Sequence, residues 1–329
     1  MTVLVSGGAG YIGGHMVLNL ADRGEPVAVL DNLSTGFRWS VPREVPLVVA
    51  DAGDFEAVLG AIRAHNVRSI IHFAARIVVP ESMADPLGYY LANTVKTRTL
   101  IAAAVAGGVK EFIFSSTAAV YGEASLEPLS ESHAPMPVSP YGTSKWMSEM
   151  MLRDAAAAHG IRYAVLRYFN VAGADPKGRY GQSSPAATHL IKVASQAALG
   201  QRSHMEVFGQ DYPTPDGTCV RDYIHVSDLA EAHWSALRHL RSGGASVLVN
   251  AGYGKGYSVR QVIDTIRSLS GVDFEVRQGP RRPGDPASIV ANADRLRHDL
   301  GWQPKLNDLA TIIGHALDWE REMVRRAGA

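Results

Sequence analysis

The sequence predicts an α/β fold: a doubly wound parallel sheet with a smaller α/β lobe behind it. Three observations carry this expectation. Short apolar runs alternate with helix-periodic stretches through the first half of the 329 residues, the pattern of a parallel sheet covered by helices. A glycine-rich turn joins the first apolar run to the first helical stretch. Polar and small residues recur at the carboxyl ends of the runs, where such sheets hold ligands.

Taken in order, Thr2 to Val5 reads as a short buried strand that runs into Gly7-Gly8-Ala9-Gly10-Tyr11-Ile12-Gly13 and then an apolar helical pattern through Leu18 and Leu20. Strand, glycine turn and helix are the context of a dinucleotide fingerprint, here spaced G-x-x-G-x-x-G. Gly7 permits the tight turn, Gly10 lets the backbone approach a pyrophosphate, and Gly13 lets the helix pack closely on the strand. The helix N-terminus offers N–H groups to the phosphates. A second strand, Pro26 to Leu30, ends in Asp31. A carboxylate there accepts hydrogen bonds from the adenosine ribose and repels a phosphate, which favours NAD over NADP.

Further strands are expected at Val45 to Ala50, ending in Asp51, and at Ser69 to Phe73, closed by Ala74-Ala75. Glu111 to Ser116 and Tyr163 to Tyr168 follow, with helices over Phe55 to Ala64 and Val95 to Ala106. Asp31, Asp51, Ala74, Ser115 and Phe169 thereby converge on one edge of the sheet.

Tyr141 and Lys145 stand four residues apart in Ser139-Pro140-Tyr141-Gly142-Thr143-Ser144-Lys145. On a helix they share one face, a turn apart. A free tyrosine is a poor base at neutral pH; a neighbouring ammonium is expected to lower its pKa. Such a tyrosine can take a proton from an alcohol and return it to a carbonyl. The bland alternative, a surface Tyr and a solvated Lys, is outweighed by the rest of the chain.

The second half reads differently. Ala174 to Ser184 and Gly209 to Gly217 are loops rich in Gly, Pro and polar residues. A strand near Tyr223 to Val226, a helix from Asp228 to Leu240 and a strand near Val247 to Asn250 come next, and Arg281 to Pro286 is a break before the last helices. The expected organisation is a cofactor-binding domain over 1–170, with segments near 219–250 returning to it, and a smaller substrate domain over 171–329.

Lys+Arg and Asp+Glu are balanced at 32 each, which argues against nucleic-acid and membrane-surface partners. The single Cys219 suits a reducing compartment. No apolar stretch is long enough for a bilayer, and no signal peptide is evident, so the cytoplasm is the expected place. His72 lies in an apolar strand pattern and reads as a satisfied core histidine. His225, His233 and His239 lack metal-ligand spacing, so no metal is expected. No nucleophile elbow surrounds Ser116.

GGAGYIGGH, DNLSTG, HFAA, FSSTAAVYG, SPYGTSK, LRYFNVAGA and VRDYIHVSDLA occur in this order across essentially the whole chain. Together they resemble the extended short-chain dehydrogenase/reductase family, in its sugar-nucleotide 4-epimerase branch. The resemblance implies a Rossmann domain, a C-terminal sugar-nucleotide domain, tightly held NAD and a homodimer. It implies Tyr141 as catalytic base and acid, Lys145 as its tuner and nicotinamide-ribose ligand, and Thr117 as the hydroxyl bonded to the reacting oxygen. Gly7, Gly10, Tyr11, Ile12 and Gly13 match the pyrophosphate turn, Asp31 and Asn32 the adenosine ribose, and Asp51-Ala52 the adenine. Phe73, Ala74, Ala75, Asn93, Ser115, Tyr168 and Phe169 match the remaining cofactor contacts. Asn170, His189, Arg221, Tyr223, Arg282 and Asp285 match the sugar-nucleotide contacts, and guanidinium forks at Arg221 and Arg282 suit a diphosphate.

The implied activity is inversion at carbon 4 of a UDP-sugar, interconverting UDP-galactose and UDP-glucose through a 4-keto intermediate; the alternatives are 4-epimerisation of another UDP-sugar (UDP-GlcNAc, a pentose or a uronate) and an NAD-dependent sugar-nucleotide reductase. Related dehydratases and decarboxylases carry acids where this chain has Thr117-Ala118-Ala119, and alanine cannot supply a proton. The chain departs from the family pattern at His189, often Asn, and at Ile77, often Lys, with Arg76 beside it. A size gate for N-acetyl sugars falls near Ser288-Ile289.

Overall fold

The computed structural model describes residues 1–122, 127–184, 188–282 and 285–328. Pro283 and Gly284, inside the break expected over 281–286, lie outside the described residues.

Seven strands form the main sheet: β1 (Thr2–Ser6), β2 (Val27–Asp31), β3 (Leu47–Val49), β4 (Val67–His72), β5 (Glu111–Thr117), β6 (Arg162–Tyr168) and β10 (Val247–Ala251). Their order is β10-β6-β5-β4-β1-β2-β3, and every neighbouring pair is parallel. The chain winds outward from β1 in one direction through β2 and β3 and in the other through β4, β5 and β6. The strand order therefore reverses between β1 and β4, which opens a crevice at their carboxyl ends.

Both faces of the sheet are covered. On one face α1 (Tyr11–Asp22) and α8 (Val226–Arg241) bury Val3, Val5, Met16, Leu20, Leu229 and Leu237 together. On the other, α2 (Phe55–Ala64), α5 (Lys96–Ala106) and α6 (Pro140–His159) bury Leu4, Leu30, Val58, Ile62, Leu100 and Leu152. Alternate residues of β1 thus serve opposite cores, as the two-residue period of a strand requires. Between β4 and α5 lie α3 (Val79–Ala84), α4 (Pro86–Tyr89) and a π-helical turn over Tyr90–Val95, so the helical stretch begins well upstream of the expected Val95.

The strand expected near Tyr223 begins earlier, as β9 (Val220–His225). It lies in a four-stranded sheet with β7 (Asn170–Ala172), β11 (Gly256–Ser258) and β13 (Ser288–Ile289), not in the main sheet. From the stretch expected to return, β10 enters the main sheet and α8 packs against α1. A two-stranded sheet, β8 (Met205–Phe208) with β12 (Val276–Gly279), and the helices α7 (Leu190–Ala198), α9 (Val259–Ser270), α10 (Asp294–Leu300) and α11 (Leu309–Gly328) complete the second lobe. Among the described residues no helix is long and apolar enough to cross a membrane.

Candidate active site

The glycine turn after β1 is shaped by backbone approach. Gly7 has φ +77°, and a Cβ there would stand 2.6 Å from the Ala74 backbone nitrogen. A Cβ on Gly13 would stand 2.1 Å from the Gly7 carbonyl oxygen, so α1 packs on β1 only because Gly13 has none. Gly10 is the N-cap of α1 and brings no side chain to it, leaving first-turn N–H groups for an anion. Asp31 ends β2 and is buried. Its carboxylate is held by the Ala9 N–H at 2.9 Å and the Leu33 N–H at 2.8 Å. The cradle and the carboxylate beside it fit the pyrophosphate and ribose of a dinucleotide.

At the neighbouring strand end, Asp51 accepts from Asn32 at 3.0 Å, from Lys96 at 2.6 Å and from the Gly53 N–H at 2.8 Å. Burial opposes ionisation of Asp51, but these donors outweigh it and hold its pKa below the usual carboxylate range. Ala52 is buried beside it. Lys96 was not singled out from the sequence, where it is one charge on a helix surface.

Phe73 and Ala74 follow β4 and donate to the Ser6 carbonyl at 2.8 and 3.2 Å, closing the bottom of the crevice. The Phe73 ring lies 4.8 Å from that of His233. Ala75 continues this segment, and Asn93 fastens its next residue: its amide bonds the Arg76 N–H and carbonyl at 2.8 and 2.9 Å and the Ser144 hydroxyl at 3.1 Å. The Asn93 side chain is thereby committed to the protein itself. The Arg76 guanidinium pairs with Asp85 at 2.6 Å and Glu81 at 3.6 Å and lies over Tyr89. Ile77 is exposed. Tyr11 spends its hydroxyl on the Gly173 carbonyl at 2.7 Å, tying the start of α1, with Ile12, to the segment after β7. His72 bonds Ser6 at 2.9 Å and Thr97 at 2.8 Å, a satisfied core histidine.

Helix α6 begins where the Ser139 hydroxyl accepts from the Gly142 N–H at 3.2 Å, with Pro140 in its first turn. A Cβ on Gly142 would meet the Ala119 carbonyl at 2.5 Å, so the helix start sits tight against the turn that follows β5. Tyr141 and Lys145 are both buried on this helix. Lys145 Nζ donates to the Ser115 carbonyl at 2.8 Å and lies 4.9 Å from the centre of the Phe114 ring. Thr117, the last residue of β5, accepts the Ala119 N–H at 3.1 Å through its hydroxyl. Ser115 Oγ is hydrogen-bonded to the Tyr168 hydroxyl.

The electrostatics correct one expectation. Burial raises the Tyr141 pKa, and the opposing influence is its hydrogen bond with Thr117, not the Lys145 ammonium. Burial lowers Lys145 from 10.5 to about 7, with Glu149 acting in the other direction. Burial thus disfavours the charged form of both groups and moves their proton affinities apart, Tyr141 upward and Lys145 downward.

The substrate-side residues gather on the small sheet. Strand β7 leaves β6 directly after Phe169 and pairs in parallel with β9, setting Asn170 opposite Tyr223. Phe169 packs with Ala118, Val120 and Ala291. Arg221, also on β9, reaches Asp285 at 2.5 Å. Arg282 is exposed, with its guanidinium 3.8 Å from the centre of the Phe208 ring, and His189 caps the start of α7 with Nδ1 2.8 Å from the Gln182 side-chain nitrogen. Both are exposed, and among the described residues neither side chain is bonded to Arg221 or Tyr223.

A strand, a glycine turn and a helix N-terminus beside a buried Tyr–Lys pair define the site of a dinucleotide-dependent enzyme of the short-chain dehydrogenase type. The chain belongs to the NAD dependent epimerase/dehydratase family, whose model matches residues 3–252. It is 54% identical over 326 residues to the UDP-glucose 4-epimerase of Azospirillum brasilense, covering 99% of this chain and 94% of that relative. It superposes with a TM-score of 0.93 on the UDP-glucose 4-epimerase of Brucella ovis in complex with NAD, at 43% identity over 96% of this chain and 97% of that one. The UDP-Glc/GlcNAc 4-epimerase of Campylobacter jejuni aligns with a TM-score of 0.85 at 45% identity, over 98% of this chain and 99% of that one.

Proposed function

We propose that the chain catalyses NAD-dependent 4-epimerisation of UDP-hexoses, interconverting UDP-galactose and UDP-glucose through a 4-keto intermediate. One observation carries this reading: a buried tyrosine, one turn from a buried lysine and bonded to the Thr117 hydroxyl, stands at the sheet edge that holds the glycine cradle.

NAD would lie along that edge, with its pyrophosphate on Gly7 to Gly13, its adenosine against Asp31, Asn32, Asp51 and Ala52, and its nicotinamide end near Lys145. When bound it accepts a hydride from carbon 4 of the sugar and returns it. Tyr141 takes the 4-hydroxyl proton on its phenolate oxygen and gives it back to the carbonyl. Thr117 donates to the same oxygen and steadies it, and Lys145 supplies positive charge that favours the phenolate. The hexose must turn between the two transfers, so it is held loosely while the diphosphate is held firmly. Arg221 and Arg282, with Asn170, Tyr223 and Asp285, are the residues we assign to that anchoring, which places binding energy away from the reacting carbon. The Thr117-Ala118-Ala119 segment lacks the acid that elimination of water needs.

The two-lobed division, 1–170 with the returning 226–251 as the cofactor lobe and the remainder as the sugar-nucleotide lobe, follows from the same reading. A homodimer is supported by Leu87, Leu91 and Val95, exposed at successive turns and 78%, 54% and 50% accessible. The balance of charge and the single cysteine are in keeping with a cytoplasmic enzyme.

The test is to incubate the purified protein with UDP-galactose, adding no cofactor, and assay for UDP-glucose. Conversion is expected. No conversion, even with NAD supplied, overturns the UDP-hexose reading.

A further inference from the structure

Glu149 lies on α6 one turn beyond Lys145 and two beyond Tyr141, so the three share one helical face. Its carboxylate is buried and fully engaged. Ser116 Oγ donates to Oε1 at 2.5 Å, and the Arg167 fork donates to Oε1 at 2.9 Å and Oε2 at 2.5 Å. Ser116 and Arg167 are register partners on β5 and β6. Strand β5 therefore faces the three α6 side chains with consecutive residues: Ser115 for Lys145, Ser116 for Glu149 and Thr117 for Tyr141.

A buried ion pair contributes little net stability, because desolvation offsets the attraction. The interest of this one is its place. On its own helix Lys145 has Tyr141 one turn before it and Glu149 one turn after it, Glu149 is paired with Arg167 of β6, and His72 of β4 feels the Lys145 charge. His72 is buried and its pKa is lowered to about 3, so it is neutral. Glu149 is the one carboxylate among them, and it favours the ammonium form of Lys145 against burial. Arg167 is ion-paired with that carboxylate at 2.5 Å in the protein interior.

We propose that the Glu149–Arg167 pair is a positioning device that keeps Lys145 protonated and thereby sets the pH at which Tyr141 works. The proposal rests on the assignment of Tyr141 and Lys145 made above. Glu149 touches neither substrate nor cofactor; it acts through Lys145.

The test compares the pH profile of epimerisation in four variants with that of the unaltered protein. Glu149→Gln moves the alkaline limb down by about one pH unit, the size of one charge interaction across a helical turn at an intermediate dielectric. Glu149→Asp keeps the charge and leaves the limb near its original position. Ser116→Ala removes a contact to Glu149 without changing any charge and also leaves the limb in place. The double variant Glu149→Gln/Arg167→Gln leaves no orphaned ion and moves the limb in the same direction as Glu149→Gln, which serves if the single variant does not fold. The NMR shift of the Lys145 side chain, identified by its absence in Lys145→Met, reports the same coupling without turnover: Lys145 loses its proton at lower pH once Glu149 is neutralised. Should Glu149→Gln lower the rate with the limb and the Lys145 titration unmoved, or Glu149→Asp shift them equally, the pair is structural and the proposal fails. Absence of turnover in the unaltered protein would instead overturn the epimerase reading, while the Lys145 titration would still decide this one.

Discussion

Lys145 is fastened to the strand that carries Thr117: its Nζ donates to the Ser115 carbonyl oxygen at 2.8 Å. The ammonium is therefore aimed by backbone rather than by another flexible side chain, in a pocket closed on one side by the Phe114 ring. Replacing Lys145 by Met removes the charge and keeps most of the apolar stem, so the fold should survive while proton transfer suffers. We expect Lys145→Met and Tyr141→Phe each to reduce kcat by roughly 10²- to 10⁴-fold, the range for losing general acid–base assistance. Steady-state kinetics with UDP-galactose, alongside a melting curve, checks both. Unchanged turnover in Tyr141→Phe removes that residue from the proton path.

Gly13→Ala tests the cradle. The added methyl would meet the Gly7 carbonyl at 2.1 Å and the Gly8 Cα at 3.0 Å, and neither backbone position is free to give. We expect a loss of about 2 kcal/mol or more in stability, as for other buried steric clashes, and loss of retained NAD. Thermal melting and the absorbance of released cofactor measure the two effects. Asp31→Ala separates them: it leaves the turn in place and should weaken NAD retention with a smaller change in melting.

Much of this site could be read from the chain because its residues sit in the first half, where strands are long and turn chemistry is strong. The helix expected over Phe55 to Ala64 is found there, started by Asp54 as a side-chain cap. The strands holding Asp31, Ser115 and Tyr168 differ from expectation by one residue at their ends. The small sheet was harder to read. Asn170–Ala172 and Ser288–Ile289 are three and two residues long, too short to show a two-residue period. The π-helical turn at Tyr90–Val95 was hidden because Leu87, Leu91 and Val95 face outward, which reverses the usual apolar-inside signal. The direction of the Tyr141 shift was missed for a physical reason: spacing reports that a lysine is near, but not that both groups are buried. Glu149 was legible in principle, since Tyr141, Lys145 and Glu149 recur every four residues, but its partner Arg167 lies on a distant strand.

Four histidines make stability sensitive to mild acid. Burial lowers His72 and His225 to about 3 and His15 and His233 to about 4, from 6.5. Each folded pKa lies below its unfolded value, so between those limits the unfolded chain binds more protons and stability falls as pH drops from 6.5. The limiting slope is about 1.4 kcal/mol per pH unit for each histidine. Urea unfolding at pH 7.5, 6.5 and 5.5, with NAD in excess so that ligand linkage is constant, should show midpoints that fall slightly from pH 7.5 to 6.5 and steeply from 6.5 to 5.5. A flat midpoint down to pH 5 would contradict the neutral, buried assignment.

Arg221 offers the last test, because its partner is already in place. Its guanidinium bonds Asp285 at 2.5 Å and the Val220 carbonyl at 2.8 Å, so the fork is held before any ligand arrives. It stands on β9 two residues before Tyr223, which faces Asn170 across the parallel β7–β9 pair. If this fork grips the diphosphate, it binds the substrate equally before and during the chemical step. Removing it should then raise KM and spare kcat. Losing one charge-assisted contact corresponds to about 1.5–3 kcal/mol, or roughly 10- to 150-fold in KM for UDP-galactose. Arg221→Lys should recover only part of this, since an ammonium cannot make the paired contact. UDP alone, titrated calorimetrically against both variants, should lose affinity by the same factor. A fall in kcat with KM unchanged would move Arg221 from the anchoring set to the reacting end.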